Sequence, residues 1–327
     1  MNTEKKRVLA KVAYLYYIEG KNQAQISEEM GIYRTTVSRM LERAKKDGIV
    51  QISIKEFDAE LFALEEYLRQ KYKLKKVELV DIPEGVSIDE GLDRLANTAA
   101  ELVKSTVRSG DVIGLSWGST LSKTIDKIGT KTLEDIMICP LDGGPSHINV
   151  RFHVNSLVYR LSQSFHAKML FINSIVIQES QLLANGIYQS KYFEKLREYW
   201  KKIDVAIIGI GGEPVRSADS QWRDLLTESD YQVLADTHAV GEICCRFFDA
   251  DGNPVHQGLQ DRTIGISLHD FVNIPKIIGI AFGEQKAAAI LAAIRQGYVN
   301  HLVTDKRTAL KVLALDQDKF LLGMNDE

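Results

Sequence analysis

Long apolar runs are missing from this 327-residue chain. No stretch approaches the roughly 18–20 apolar residues that a helix needs to cross a bilayer, so a membrane-embedded protein is not expected. The opening MNTEKKRVLAKVAYLYY is basic, but no apolar segment with a cleavage-like end follows it, and no secretory leader is expected. Cysteine is scarce. Cys139, Cys244 and Cys245 form neither a CxxC pair nor a zinc-ligand spacing with histidine, and adjacent cysteines rarely bridge. A disulfide framework is excluded, and no metal or cofactor is expected. Buried thiols in a reduced, cytoplasmic protein are the expectation. An excess of positive charge is also lacking: the formal net charge is −3, which argues against a wholly basic nucleic-acid binder.

What is present is unevenly distributed. Residues 1–50 hold ten Lys/Arg and six Asp/Glu, a net of +4, which leaves −7 for the remainder. A positive end on a negative body suits a small DNA-binding head on a domain with another task. The length and the 45% hydrophobic content fit two domains, one with a sizeable core. The spacing predicts a boundary near residue 56, with domains at 1–56 and 57–327.

Within the head, Val8, Leu9, Val12, Leu15, Tyr16 and Ile18 have the spacing of one helix face. A second helix is expected over 23–30, stopped by Gly31, which can adopt a left-handed turn without steric cost. A third is expected over about 33–46. Ile26, Met30, Ile32, Val37, Met40 and Leu41 would form the small core, with Ser27 allowing a close helix crossing. Tyr33, Arg34, Thr35, Thr36, Ser38 and Arg39 then point outward from the start of a helix. Hydroxyl and guanidinium groups at that position are what a helix in the major groove uses to reach base edges and phosphates. Alternation over 49–55 predicts a half-buried strand that could serve as a wing. Residues 58–72 read as a helix, packed either on its own domain or against a second subunit.

Beyond residue 76, apolar runs at 77–80, 112–116, 136–139, 205–208, 277–281 and 302–304 alternate with helical segments at 89–107, 119–128, 155–164, 192–201, 285–296 and 308–314. Continuous apolar strands between helices predict an α/β, Rossmann-like fold around a largely parallel sheet. Such sheets bind ligands beyond the carboxyl ends of their strands. Three loops fall there. One places Ser116, Gly118, Ser119 and Thr120 before a helix whose free N–H groups could hold an anion. A second, IIGIGGEP, offers Gly211 for close backbone approach. A third puts Lys286 in a helix first turn, where its charge opposes the helix dipole unless an anion is present. The segment 141–155 adds Asp142, Gly143, Gly144, Ser146, His147, Arg151 and His153 as further candidates for sugar or phosphate contact.

The stretches QISEEMGIYRTTVSRMLERAKKDGIVQISI, GDVIGLSWGST, DVAIIGIGG, VGEICCRFFDADGNPV, RTIGISL and IGIAFGEQKAAAILAAI, followed by VNHLVTD, occur in one order across the chain. They resemble the SorC family of bacterial sugar-sensing transcription regulators over essentially the full length. The resemblance implies a winged helix-turn-helix joined to an effector domain similar to sugar-phosphate isomerases and deaminases. It also implies operator DNA and a phosphorylated sugar as partners, the effector being sorbose phosphate or a related ketose or hexitol phosphate. Dimers or tetramers are implied as well. Two departures stand out. Phe282-Gly283 replaces paired glycines, and Asp142 precedes Gly143-Gly144 where aldehyde-trapping relatives have lysine. A carboxylate cannot form a Schiff base, so reversible binding is expected.

No catalytic residue is expected. The rival reading is an isomerase or deaminase with an appended head, since a fold does not dictate function. Asp142, His147 and Glu284 could supply acid–base groups, but none lies in a motif tied to turnover. A purely architectural DNA binder would leave the three sheet-edge loops without a purpose.

Overall fold

The computed structural model describes residues 3–51, 58–145, 150–216, 222 and 224–318. The chain divides into two compact units, Met1–Asp58 and Ala59–Glu327.

The first unit contains three helices: α1 (Thr3–Tyr17), α2 (Gln23–Met30) and α3 (Arg34–Lys46). Asn22 starts α2 with a capping box. Its Oδ1 accepts from the N–H groups of Ala24 and Gln25, each at 3.0 Å, while Gln25 Oε1 accepts from the Asn22 N–H at 2.9 Å. Gly31 ends α2 at φ 65°, in the left-handed region. The Ser27 hydroxyl then donates to the Ile32 carbonyl at 2.5 Å and ties the turn together. The core uses Leu9, Val12, Ala13 and Leu15 of α1 against Ile26, Val37, Leu41 and Ala44. The expected α1 stripe is therefore partly corrected: Val8, Tyr16 and Ile18 are exposed, Ile18 at 70%. The buried face is rotated toward Ala13, because two facing helices, rather than one, set which residues are covered. The expected wing falls largely on residues 52–57, outside the described residues.

In the second unit α4 (Ala59–Lys71) leads into β1 (Lys76–Val80), α5 (Ile88–Thr106), β2 (Val112–Leu115), α6 (Ser119–Ile128), β3 (Met137–Pro140), α7 (Val154–Phe165) and β4 (Lys168–Met169). The chain continues through α8 (Gln181–Gln189), α9 (Lys191–Trp200), β5 (Val205–Gly209), α10 (Glu228–Asp236), β6 (Gly241–Ile243), β7 (Arg246–Phe248), α11 (Gln257–Gln260) and α12 (Leu268–Phe271). It closes with β8 (Lys276–Ile280), α13 (Ala287–Arg295), β9 (His301–Asp305) and α14 (Lys306–Leu315). Seven strands form one parallel sheet in the order β1-β9-β8-β5-β2-β3-β4, and β6 pairs antiparallel with β7. The central strands are buried on both faces, as β5 shows with Val205, Ala206, Ile207 and Ile208 all inaccessible or nearly so. That is why they read as unbroken apolar runs.

From β2 the chain winds outward through β3 to β4, then returns to lay β5 on the other side of β2 and continues to β8 and β9. The strand order thus reverses between β2 and β5. Loops leaving these two strands diverge to opposite faces, which opens a crevice at their carboxyl ends. Helix α4 packs within its own unit: Leu64 and Leu68 are buried in the core, and Glu65 Oε1 accepts from the Leu79 N–H of β1 at 2.7 Å.

Strands β4, β6 and β7 are absent from the sequence reading. β4 has two residues, too few to show a period. The helix expected over 285–296 begins instead as a tight 3-10 turn, Glu284–Lys286, ahead of α13.

Gly143 shows how closely the loop after β3 is packed. A Cβ there would lie 2.6 Å from Val176 Cα and 2.7 Å from its amide nitrogen, both backbone atoms that cannot swing aside. Gly143→Ala is expected to destabilise the second unit by about 2 kcal/mol or more, seen as a lower melting temperature. An unchanged melt would show that this backbone pair is looser than described.

Candidate functional site

Five segments meet at the switch point. Ser116, Trp117, Gly118, Ser119 and Thr120 follow β2, Asp142 follows β3, Gly209 to Gly211 follow β5, and Lys286 lies just past β8. The β6–β7 hairpin closes the fifth side with Glu242, Cys244 and Cys245. Together they enclose a cavity of about 80 Å³.

At the α6 end, Gly118 sits at the N-cap with φ 137° and offers no side chain to the first N–H groups of the helix. Those donors are left facing the cavity, with the positive end of the helix dipole behind them. Opposite lies Asp142, wholly inaccessible to solvent. Its Oδ2 accepts from the Ser116 hydroxyl at 2.7 Å, while its Oδ1 has no hydrogen-bond partner among the described residues. Burial pushes this carboxyl well above the usual range, and the neighbouring Glu242 adds to that, against the Ser116 bond.

Glu242 is the second buried acid. Burial raises its carboxyl to about 7, against the Cys245 N–H, which donates to Oε2 at 2.9 Å, and against the positive charge of Lys286. Burial likewise lowers the Lys286 ammonium below the ordinary lysine value, opposed by Glu242. The hairpin is pinned to the loop after β5 by a reciprocal backbone pair between Gly211 and Glu242, at 3.0 and 3.2 Å. Glycine at 211 leaves room for Glu242: a Cβ there would stand 2.1 Å from Glu242 Oε1, and that carboxylate would have to move. The missing side chain makes room for a carboxylate of the protein itself.

Cys244 and Cys245 form the two-residue turn of the hairpin. Both have positive φ, 50° and 61°, between the paired residues Ile243 and Arg246. This is the geometry for which Asn-Gly is usual. Two such residues cost on the order of 1–3 kcal/mol each, strain of a kind that collects at functional sites. Burial raises both thiols, and raises Cys139 to about 12, so all three are protonated and free.

The sequence candidates are thus divided. Ser116, Gly118, Ser119, Thr120, Asp142, Gly211 and Lys286 share one cavity. Gly143 and Gly144 do not line it; they make room for the Val176 backbone and the His153 ring. Arg151 pairs with Asp126 at 2.6 Å, and His153 caps α7 by accepting from the Asn155 N–H at 3.2 Å. Ser146 and His147 lie outside the described residues. Glu242, Cys244, Cys245 and Trp117 line the cavity but were not read from the sequence as contacts; a lone acid beside two cysteines in an apolar stretch was the available signal. No group of three or more His, Cys, Asp or Glu side chains among the described residues is arranged to hold a metal.

In the first unit, Tyr33 is the residue before α3 and is 84% exposed. Arg34, Thr35, Thr36 and Arg39 are exposed along α3, Ser38 is half-buried, and the first turn carries no acid.

Residues 58–314 match the Sugar-bind family, a sugar-binding domain. The sorbitol operon regulator of Klebsiella pneumoniae is 35% identical over 310 residues, 94% of this chain and 98% of that protein. The full-length crystal structure of that regulator, SorC, superposes with a TM-score of 0.74, covering 95% of this chain and 100% of the other. The chain belongs to the SorC family of transcriptional regulators. Another relative, the deoxyribonucleoside regulator of Bacillus subtilis, is 31% identical over 94% of this chain and 98% of its own length. A transcriptional regulator from Streptococcus pneumoniae TIGR4, 43% identical, has a TM-score of 0.76 over 80% of this chain and 100% of its own. These relatives are named as regulators, and this chain is a transcriptional regulator and not an enzyme. No helix among the described residues is long and apolar enough to cross a membrane.

Buried Glu242 has a consequence for stability whatever the ligand. Its carboxyl stands at about 7 in the folded chain against an ordinary 4.5. The folded state therefore holds this proton more tightly than the unfolded state does. The resulting stability is complete below about pH 4.5 and is lost as pH rises to about 7, in total on the order of 3 kcal/mol. Glu242→Gln should remove this dependence, leaving the variant favoured over the wild type at pH 8 relative to pH 5. Denaturant titrations at the two pH values test it; parallel shifts would refute it.

Proposed function

We propose that this SorC-family regulator controls a carbohydrate operon by binding operator DNA through a winged helix-turn-helix over residues 1–56 and a phosphorylated sugar through residues 57–327. In this reading α3 enters the major groove, with Tyr33, Arg34, Thr35, Thr36, Ser38 and Arg39 at bases and phosphates. The effector phosphate lies on the α6 N-terminus beside Lys286. Ser116, Asp142 and Glu242 take the sugar hydroxyls, and sorbose phosphate or a related ketose or hexitol phosphate is the favoured effector. Of the loop after Asp142, Gly143, Gly144, Ser146, His147 and Arg151 remain proposals as further contacts. The chain works in the cytoplasm as a dimer or tetramer.

One observation carries the effector assignment: an uncapped helix start and a half-buried lysine meet two buried acids in a single cavity at the switch point. The first pair suits a phosphate and the second suits hydroxyls. A protonated Asp142 can donate a hydrogen bond to a sugar oxygen, and it supplies no amine for covalent capture.

The cavity of about 80 Å³ is well below the roughly 300 Å³ at which ligand pockets begin. Effector entry must therefore part the walls. The hairpin with its strained Cys244-Cys245 turn is the wall that moves in this reading, and a shift in its position is a differential contact by which a ligand can favour one state.

A thermal-shift screen with fructose 6-phosphate, sorbose 1-phosphate, sorbitol 6-phosphate and glucosamine 6-phosphate tests the reading, with the best hit carried into an operator-binding assay. A stabilised protein with altered operator affinity supports it. Turnover of a sugar phosphate would favour the isomerase or deaminase alternative, and indifference to all four would end the assignment of effector class.

A further inference from the structure

The sheet-edge crevice is not the only cavity lined by described residues. A second cavity of about 590 Å³ lies among α8, α9, β7 and the segment from Gln260 to Ile274. That is in the range of small-molecule sites. The two spaces are separated by a partition. The Ile266 N–H donates to the Leu141 carbonyl at 2.8 Å, the Gly143 N–H donates to the Ile264 carbonyl at 2.9 Å, and Asp142 bridges Gly265. Asp142 faces the crevice, while Gly265 and Ile266 line the second cavity.

Three cations line this cavity, Arg197, Lys201 and Arg246, and among the described residues none of them forms an ion pair. Arg246 is 7% exposed. Its guanidinium donates to the carbonyls of Gln260, Thr263, Gly265 and Ile266, the last at 3.3 Å. Those dipoles satisfy its N–H groups but leave a whole positive charge uncancelled in a poorly hydrated place, where the usual companion is a carboxylate. Half-buried Arg197 donates to the Tyr188 carbonyl. The two acids in the lining have partners of their own, and His269 Nδ1 lies 4.0 Å from Asp270 Oδ1. Asp261 accepts from the Gln257 amide at 2.7 Å, and Asp270 accepts from the Ser267 hydroxyl at 2.7 Å. Ile203, Ile266, Ile274 and the ring of Trp200, whose Nε1 is already committed to the Pro140 carbonyl at 2.8 Å, give the lining an apolar part, beside polar groups that include Asn185, Ser267 and Asn273.

We propose that this second cavity binds a small organic carboxylate with an apolar, ring-sized body, its carboxylate between Arg197 and Lys201 and its body against Trp200 and Ile274. Arg246 beneath them holds the site positive without contacting the ligand through a free donor. A ligand of this class supplies the missing negative charge and covers the apolar wall in one step. The inference does not depend on the effector reading of the crevice.

The test uses the full-length protein and the aromatic sulfonate 8-anilinonaphthalene-1-sulfonate as fluorescent probe, with benzoate and the uncharged benzyl alcohol as competitors. Saturable binding at one probe per chain is expected, displaced by benzoate and not by benzyl alcohol. Arg197→Met should weaken it at least tenfold. Lys201→Glu, a change at an exposed rim residue, should weaken it several-fold without disturbing the fold, which protects the test if Arg197→Met is poorly soluble. Lys286→Ala should leave probe affinity as in the wild type. Non-saturable binding, displacement by benzyl alcohol as readily as by benzoate, wild-type affinity in Lys201→Glu, or loss of binding in Lys286→Ala would each overturn the proposal.

Discussion

Lys286→Ala should weaken sugar-phosphate binding by about 10- to 100-fold while leaving effector-free operator affinity within about twofold. The range follows from the 1.5–3 kcal/mol typical of a hydrogen bond to a charged group. The upper end is favoured because the ammonium is already half-buried in the free protein, so binding a phosphate strips it of less water than a fully exposed lysine would lose. Calorimetric titration with the best sugar phosphate from the screen, beside fluorescence anisotropy on operator DNA, measures both quantities. Equal losses in the two assays would mean that Lys286 supports the fold generally. No loss in either would remove the phosphate from this corner of the crevice.

Arg34→Ala should do the reverse. Arg34 opens α3, is exposed, and forms no ion pair among the described residues, so its truncation removes no part of the buried core. As a bidentate contact to guanine it would contribute about 1–3 kcal/mol of discrimination. As a phosphate contact it would instead lower affinity on all sequences and reduce the slope of log affinity against log salt by about 1. Anisotropy titrations on operator and scrambled duplexes at several salt concentrations separate the two roles. Unchanged operator affinity would displace α3 from the groove. Sugar-phosphate affinity should remain that of the wild type.

Much of the scaffold could be read locally. The runs containing β2, β5 and β8 are apolar because both faces are covered, and that leaves a mark on nearly every residue of the strand. Gly31 marked the end of α2 because the left-handed turn it adopts restricts residue choice at a single position. The β6–β7 hairpin left no such mark. Its turn residues are two cysteines where asparagine and glycine are usual, so the turn chemistry pointed away from the structure. The α1 stripe was shifted for a different reason: tyrosine and isoleucine can sit on a surface, and which of several apolar residues is covered depends on the partner helix.

The crevice was legible in pieces. Gly118, Ser119 and Lys286 each stood out from their loops, but glycine after a strand has many causes. Gly211, Gly143 and Gly144 show three of them: room for Glu242, for the Val176 backbone and for the His153 ring. Glu242 itself was missed because a single acid in a short strand looks like a solvated residue until the loop after β5 folds over it.

Sequence alone determined the alternation of helices and apolar strands, the basic head with its hydroxyl-rich helix start, and the family, because each is written in residue types at short spacing. Tertiary structure decided which loops converge, that Asp142 and Glu242 are driven toward their neutral forms, and that three cations without an ion pair among the described residues line a second cavity. Those properties depend on how far a charge lies from water and from other charges, and that distance is set only when segments distant along the chain are packed together.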